Sequence, residues 1–164
     1  MEQECDVRFL LMRRIRFAAD GVPYDIVFDV VPLRVLRSYR QYWPWSREAG
    51  GQLFGRREDW RFVVTEATPP RPEDVRSRTE FVIDTVAANN EIAERRRRGM
   101  EYLGDWHTHP QEQPKPSPQD RRNGLRMMEG RNAPGALVIV IVGIRATYVG
   151  LQTAKTLTDL RASR

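Results

Sequence analysis

The chain is short of the residues that diversify a protein's chemistry. It has one cysteine in 164 residues, Cys5, so an intrachain disulfide and any zinc site built on two thiolates are excluded. It has only two histidines. Mean hydropathy is -0.60, and no uncharged apolar run approaches the roughly 18 to 20 residues of a membrane-spanning helix. The opening MEQECDVRFLLMRRIRF carries acids where a signal peptide carries bases, and Arg13 and Arg14 interrupt its apolar stretch. These absences lead to the expectation of a protein of the reducing cytoplasm with no membrane partner, in which Cys5 is a small buried residue. Internal repeats, low-complexity tracts and domain-sized linkers are also lacking. With 40% hydrophobic and 30% charged residues, the chain reads as one domain over 1–151, followed by a mobile or loosely packed tail at 152–164.

Positive charge is in modest excess. Lys and Arg number 27 against 22 Asp and Glu, a net +5, and the sequence pI is about 9.9. That balance raises the question of nucleic-acid binding. Setting aside the run Arg95 to Arg98, however, leaves 23 against 22. The run closes an expected helix, where cations meet the negative end of the macrodipole, so a solvated helix end is preferred to a binding patch and nucleic acid is not an expected partner.

Residues 6–16 and 24–31 read as two strands joined at Asp20-Gly21 and Pro23. Pro32 opens a short helix with Leu33, Leu36 and Tyr39 or Arg40 at helical spacing. Gly50-Gly51 and Gly55 bracket a segment expected to pair antiparallel with a strand over Trp60 to Thr65. A loop from Pro69 to about Arg78 leads to a strand over Thr79 to Ile83, and Asp84 caps a helix ending at Gly99. Tyr102 to His107 reads as a strand, Pro110 to Pro116 as a loop and Ser117-Pro118 as a helix start. Ala136 to Val142 is continuously apolar and reads as a strand covered on both faces, and Arg145 to Leu151 alternates. Strands interleaved with three helices make an α/β or α+β domain.

Both histidines lie in His107-Thr108-His109 at the end of an expected strand. Residues i and i+2 of a strand share a face, so two imidazoles can converge on one ion. Catalytic zinc takes three protein ligands and leaves a fourth position to water, so one carboxylate is wanted, and Asp120 is the candidate. Pro110, Pro114, Pro116 and Pro118 stiffen the intervening chain. Ser117 at the N-cap and Asp120 at N3 also have the form of a capping box, which needs no metal; the paired histidines favour ligation. A water activated by zinc needs a base, and Glu48, immediately before Ala49-Gly50-Gly51, is the choice over a solvent-facing turn acid. Trp43, Trp45 and Trp106 are read as packing beneath the site, with a substrate-facing lip as the alternative.

Together, Glu48 in EAGGQLFG, His107 and His109 in GDWHTHP, Ser117 in PSPQD, and Asp120 resemble the signature of the JAMM (JAB/MPN) metalloprotease family: a distant glutamate, then H-x-H, seven residues, serine, two residues, aspartate. The likeness spans roughly 24 to 151. It implies a single domain with a strongly curved mixed β-sheet flanked by helices, topologically related to the cytidine deaminases. It implies zinc held by His107, His109 and Asp120, with Glu48 as general acid/base and Ser117 as hydrogen-bond donor to the tetrahedral oxyanion. It further implies hydrolysis of isopeptide or peptide bonds after the C-terminal glycine of ubiquitin-like proteins, whose extended tail would add to a sheet edge supplied by residues after Pro70 and by the proline loop. The compact form most resembles bacterial JAB proteins of antiphage (CBASS) operons, whose substrate is a conjugate of a cGAS-like nucleotidyltransferase. Rival readings are processing of a sulfur-carrier precursor, a non-catalytic binding module of the same fold, and a DNA-associated role that exploits the arginines. Nucleoside deamination is disfavoured, since one cysteine cannot supply its paired thiolates.

Overall fold

The computed structural model describes residues 14–130 and 133–163. Along the chain run β1 (Ile15–Ala18), β2 (Asp25–Phe28), α1 (Val30–Ser38), β3 (Gly50–Glu58), β4 (Arg61–Ala67), β5 (Val75–Arg76), β6 (Phe81–Val82), α2 (Thr85–Arg97), β7 (Glu101–Thr108), α3 (Pro118–Met127), β8 (Leu137–Val142), β9 (Thr147–Gln152) and β10 (Leu157–Ser163).

The apolar run of β8 is buried at every position, as its composition demands of a strand with no polar face to offer water. It pairs parallel with β7, Gly104 opposite Val138 and His107 opposite Ile141. β7 in turn pairs antiparallel with β3, from Gly50–His107 to Gly55–Glu101, with a register shift between Leu53 and Phe54. Gly104 makes that irregularity possible: its φ is +149°, and a Cβ there would strike the carbonyl of Val138. The expected antiparallel pairing of β3 with β4 and the expected β1–β2 hairpin are both present, while residues 6–13 of the first expected strand lie outside the described residues.

The curved sheet closes on itself as a barrel in the order β1-β10-β9-β8-β7-β3-β4-β2. Its interior holds Ile26, Phe28, Leu53, Phe62, Val64, Leu103, Val138, Val140 and Leu151, and α1 buries Leu33 and Leu36 against it. A loose tail after residue 151 is not what the structure contains. β10 pairs with β9 from Leu157–Gln152 to Leu160–Val149, and with β1 through Arg16–Ser163 and Ala18–Arg161, so it closes the barrel. Only Leu160 of β10 is fully buried, and the hydrogen bonds that hold the strand come from partners its own composition does not announce. The strand expected over Thr79 to Ile83 is present but shorter, and it pairs as a two-residue ribbon with β5, which lies inside the stretch expected as loop. α1 begins two residues before Pro32 with Asp29 at its N-cap, which leaves the proline within the first turn.

Candidate active site

β3 and β7 meet at their ends so that Ala49 donates to the Thr108 hydroxyl at 3.0 Å, and the Thr108 peptide donates back to the Ala49 carbonyl at 2.8 Å. Thr108 is fully buried. Strand alternation therefore turns its neighbours His107 and His109 to the other face, where both rings are partly exposed. The His109 peptide donates to the Val142 carbonyl at 3.0 Å, which carries the β7 direction one residue past the strand.

The proline loop then returns the chain. Ile144 donates to the Gln111 carbonyl at 2.7 Å, and Arg145 and Ala146 donate to that of Glu112 at 3.1 and 2.9 Å, so the loop is pinned to the β8–β9 turn. It delivers α3 with Ser117 as N-cap in a complete capping box: Asp120 N–H donates to Ser117 Oγ at 3.1 Å, and Ser117 N–H donates to Asp120 Oδ2 at 2.7 Å. The expected capping role and the expected ligand position coincide. The same Asp120 carboxylate meets both imidazoles, Oδ1 at 3.1 Å from His107 Nε2 and Oδ2 at 3.4 Å from His109 Nε2, while the two Nε2 atoms are 3.1 Å apart.

These three groups fit a small tetrahedral cation. Bonds of about 2.0–2.1 Å at tetrahedral angles place neighbouring ligand atoms about 3.4 Å apart, close to the 3.1–3.4 Å that separate the two imidazole nitrogens from each other and each from its nearer Asp120 oxygen. Without a cation one of the two facing Nε2 atoms carries the proton and donates to the other, whereas a shared cation lets both present their lone pairs to it. His107, His109 and Asp120 thus form a group whose ligand atoms lie within 4.8 Å of one another. Burial alone would raise the Asp120 carboxyl, but hydrogen bonds from His107, His109 and Ser117 hold it well below the usual carboxylate range. His109 is moved the other way: burial lowers it, and the Asp120 hydrogen bond and charge, with the Glu48 charge, raise it beyond its ordinary value.

Glu48 lies beside this triangle and is 6% exposed. Burial pushes its carboxyl up to about 7; the neighbouring His109 pulls against that shift, and the charges of Asp120 and Glu80 add to it. The two glycines after Ala49 are required by close packing. A Cβ at Gly51 would enter the Thr68 carbonyl, and one at Gly50 would enter the Phe81 ring. Glu48 itself is held by a segment that sequence reading left as loop: its N–H donates to the Ser77 carbonyl at 2.7 Å, and Arg76 Nε donates to its carbonyl at 2.7 Å. No local motif marks Arg76 or Ser77 for that task.

The three tryptophans do not act together. Trp106 is buried, donates to the Thr68 carbonyl at 2.9 Å and packs on Tyr39, as expected of a residue beneath the site. Trp43 and Trp45 instead stand in solvent, 62% and 74% exposed, with their rings stacked 5.4 Å apart. The proline between them sets both on an exposed bend, which overrides the tendency of indoles to bury. In the arginine run, Arg95 engages Glu66 while Arg96, Arg97 and Arg98 point to solvent at the end of α2.

Residues 34–155 match the model of a family described as prokaryotic homologs of the JAB domain. A protein named CD-NTase/cGAS isopeptidase from Escherichia coli is 30% identical over 153 residues, covering 92% of this chain and 96% of that protein. A protein of the same name from Vibrio cholerae is 31% identical over 136 residues, 81% of this chain and 85% of the relative. A solution structure of a Desulfitobacterium hafniense protein superposes with a TM-score of 0.56 at 23% identity, over 77% of this chain and 82% of that one, a likeness of fold.

Proposed function

The chain belongs to the family of prokaryotic homologs of the JAB domain, and from that premise we propose that it is a zinc-dependent isopeptidase. It would release a cGAS-like nucleotidyltransferase, in bacterial antiphage (CBASS) defence, from a conjugate through the C-terminal glycine of a ubiquitin-like modifier. The observation that carries the chemistry is the convergence of His107, His109 and Asp120 on one point beside a buried carboxyl that titrates near neutrality. Support for the substrate comes from the relatives named CD-NTase/cGAS isopeptidase, aligned over most of both chains.

His107, His109 and Asp120 would hold the zinc ion, which when bound polarises the scissile carbonyl and makes water more acidic. Glu48, buried beside the three groups and pushed up to about 7 by that burial in the metal-free fold, takes a proton from the attacking water and passes it to the departing lysine amine as the C–N bond breaks. Ser117 Oγ accepts from the Asp120 peptide, which fixes the hydroxyl at the edge of the site, and its O–H would turn to donate to the oxyanion that develops on the carbonyl. It is no triad nucleophile, because both histidines of the chain belong to the metal group. The ribbon β5–β6 and the proline loop flank the site, and their edges suit an extended glycine-rich tail added as a further strand.

Incubating the protein with a ubiquitin-like protein joined through its C-terminal glycine to a lysine of a cGAS-like nucleotidyltransferase tests this reading. Cleavage at the junction, abolished by a chelator and restored by zinc, is the expected result. Absence of cleavage by zinc-loaded protein on that conjugate, or cleavage that survives complete metal removal, would refute it.

A further inference from the structure

Glu48 lies just before β3, where the sheet no longer supplies both of its peptide groups with a partner strand. Segment 71–84 supplies them. The Ser77 carbonyl accepts from the Glu48 N–H, and Arg76 Nε donates to the Glu48 carbonyl, both at 2.7 Å. A side-chain guanidinium thus stands where a neighbouring strand would put a peptide N–H. It meets the main chain of Glu48, whereas the charges that move the Glu48 carboxyl belong to His109, Asp120 and Glu80.

The segment is itself held at both ends. The fully buried Asp74 carboxylate accepts from the Arg71 N–H at 2.7 Å and from the Asp84 N–H at 2.8 Å, so one side chain ties the start of the segment to the N-cap of α2. The Arg71 guanidinium donates to Gln52 Oε1 in β3 at 2.6 Å and pairs with Glu91 in α2. Between these anchors, Ser77 N–H donates to the Glu80 carbonyl at 2.9 Å and shapes the β5–β6 turn, and Gln41 Nε2 donates to the Arg78 carbonyl at 3.0 Å. The result is a strap braced on β3 and α2, with Arg76 aimed at one peptide.

We propose that Arg76 is a positioning residue for the hydrolytic reaction, its guanidinium locking the Glu48 peptide so that the carboxyl stays on the His107–His109–Asp120 face. The inference rests on the isopeptidase reading above. Its physical basis is that proton transfer tolerates little displacement of the base, and a loss of about 1 Å in placement is able to cost about 100-fold in rate.

The test compares zinc-loaded wild type, Arg76→Met, which keeps the aliphatic stem without a donor, and Arg76→Lys, which keeps a donor. Arg76→Met is expected to lower kcat about 10- to 100-fold with KM within about twofold and with zinc content and Tm retained, and Arg76→Lys to recover part of the loss. In a Glu48→Gln background, Arg76→Met should have no further effect, since a residue acting through Glu48 has nothing left to position. An unchanged kcat in Arg76→Met overturns the proposal. So does a raised KM at retained kcat, which would make Arg76 a substrate-binding residue, or a kcat loss that merely follows lost zinc or a lowered Tm in both variants. A wild type that cleaves no conjugate refutes the isopeptidase reading instead, so the two failures are distinguishable.

Discussion

The two halves of the site are built by different means. His107, His109 and Asp120 lie on one short stretch of chain, and the capping box that starts α3 orients the aspartate carboxylate through residues 117 to 120 alone. Glu48 has no comparable local support; its main chain depends on Arg76 and Ser77, and those depend on Asp74 and Arg71. On the proposed reading, metal affinity and proton transfer would therefore belong to separable pieces of the fold, and a substitution in one should spare the other. Catalytic power would then be lost without loss of the cation.

The most severe way to break the first half is His109→Ala. Removing one of the three proposed ligands should abolish stoichiometric zinc binding and cut cleavage at least about 1,000-fold, read by metal analysis beside the assay. Retained zinc in that variant would dissolve the division between the halves. Glu48→Gln should do the reverse, keeping zinc at one per chain while kcat falls about 100- to 10,000-fold. Ser117→Ala straddles the boundary: loss of an oxyanion donor predicts a kcat lower by about 100-fold, and loss of the N-cap predicts a stability lower by about 1 kcal/mol. Intact turnover with only the stability loss would assign Ser117 to the helix alone.

The smallest effect sharpens the comparison without any substrate. In metal-free protein the Glu48 carboxyl titrates near 7 in the fold, against an ordinary value of 4.5 when unfolded. Between those values the folded chain holds the additional proton, so Glu48 reduces stability progressively as pH rises through that window, and the reduction is complete above 7. Glu48→Gln stays neutral throughout. Its Tm relative to wild type should therefore rise by a few degrees between pH 4.5 and pH 8, measured by calorimetry with chelator present. A difference that ignores pH would show that Glu48 is not buried as described.

The same contrast explains what the sequence could convey. The spacing of His107, His109, Ser117 and Asp120 follows from strand alternation and helix capping, which act over a few residues and leave a readable pattern. Glu48 was legible through the two glycines behind it, whose need for close packing is a local signal, and through the family likeness. Arg71, Asp74 and Arg76 look like ordinary loop polar residues, because their partners Gln52, Asp84 and Glu48 lie on other elements. β10 was read as tail for a related reason: with only Leu160 fully buried, its pairing rests on backbone hydrogen bonds to β1 and β9 rather than on an apolar pattern. Trp43 and Trp45 show the converse, an apolar signal that does not mark the core.

The seam where β1 and β10 zip together has a practical side. In the circular strand order it lies across the barrel from the β7–β3 junction that bears the histidines. A fluorophore or surface tether coupled near Ala162, which is exposed, would sit on the antipode of the reacting groups. Pulling on that point should unzip β1 from β10 first, so single-molecule force experiments could peel the seam while the far wall is monitored for the proposed cleavage.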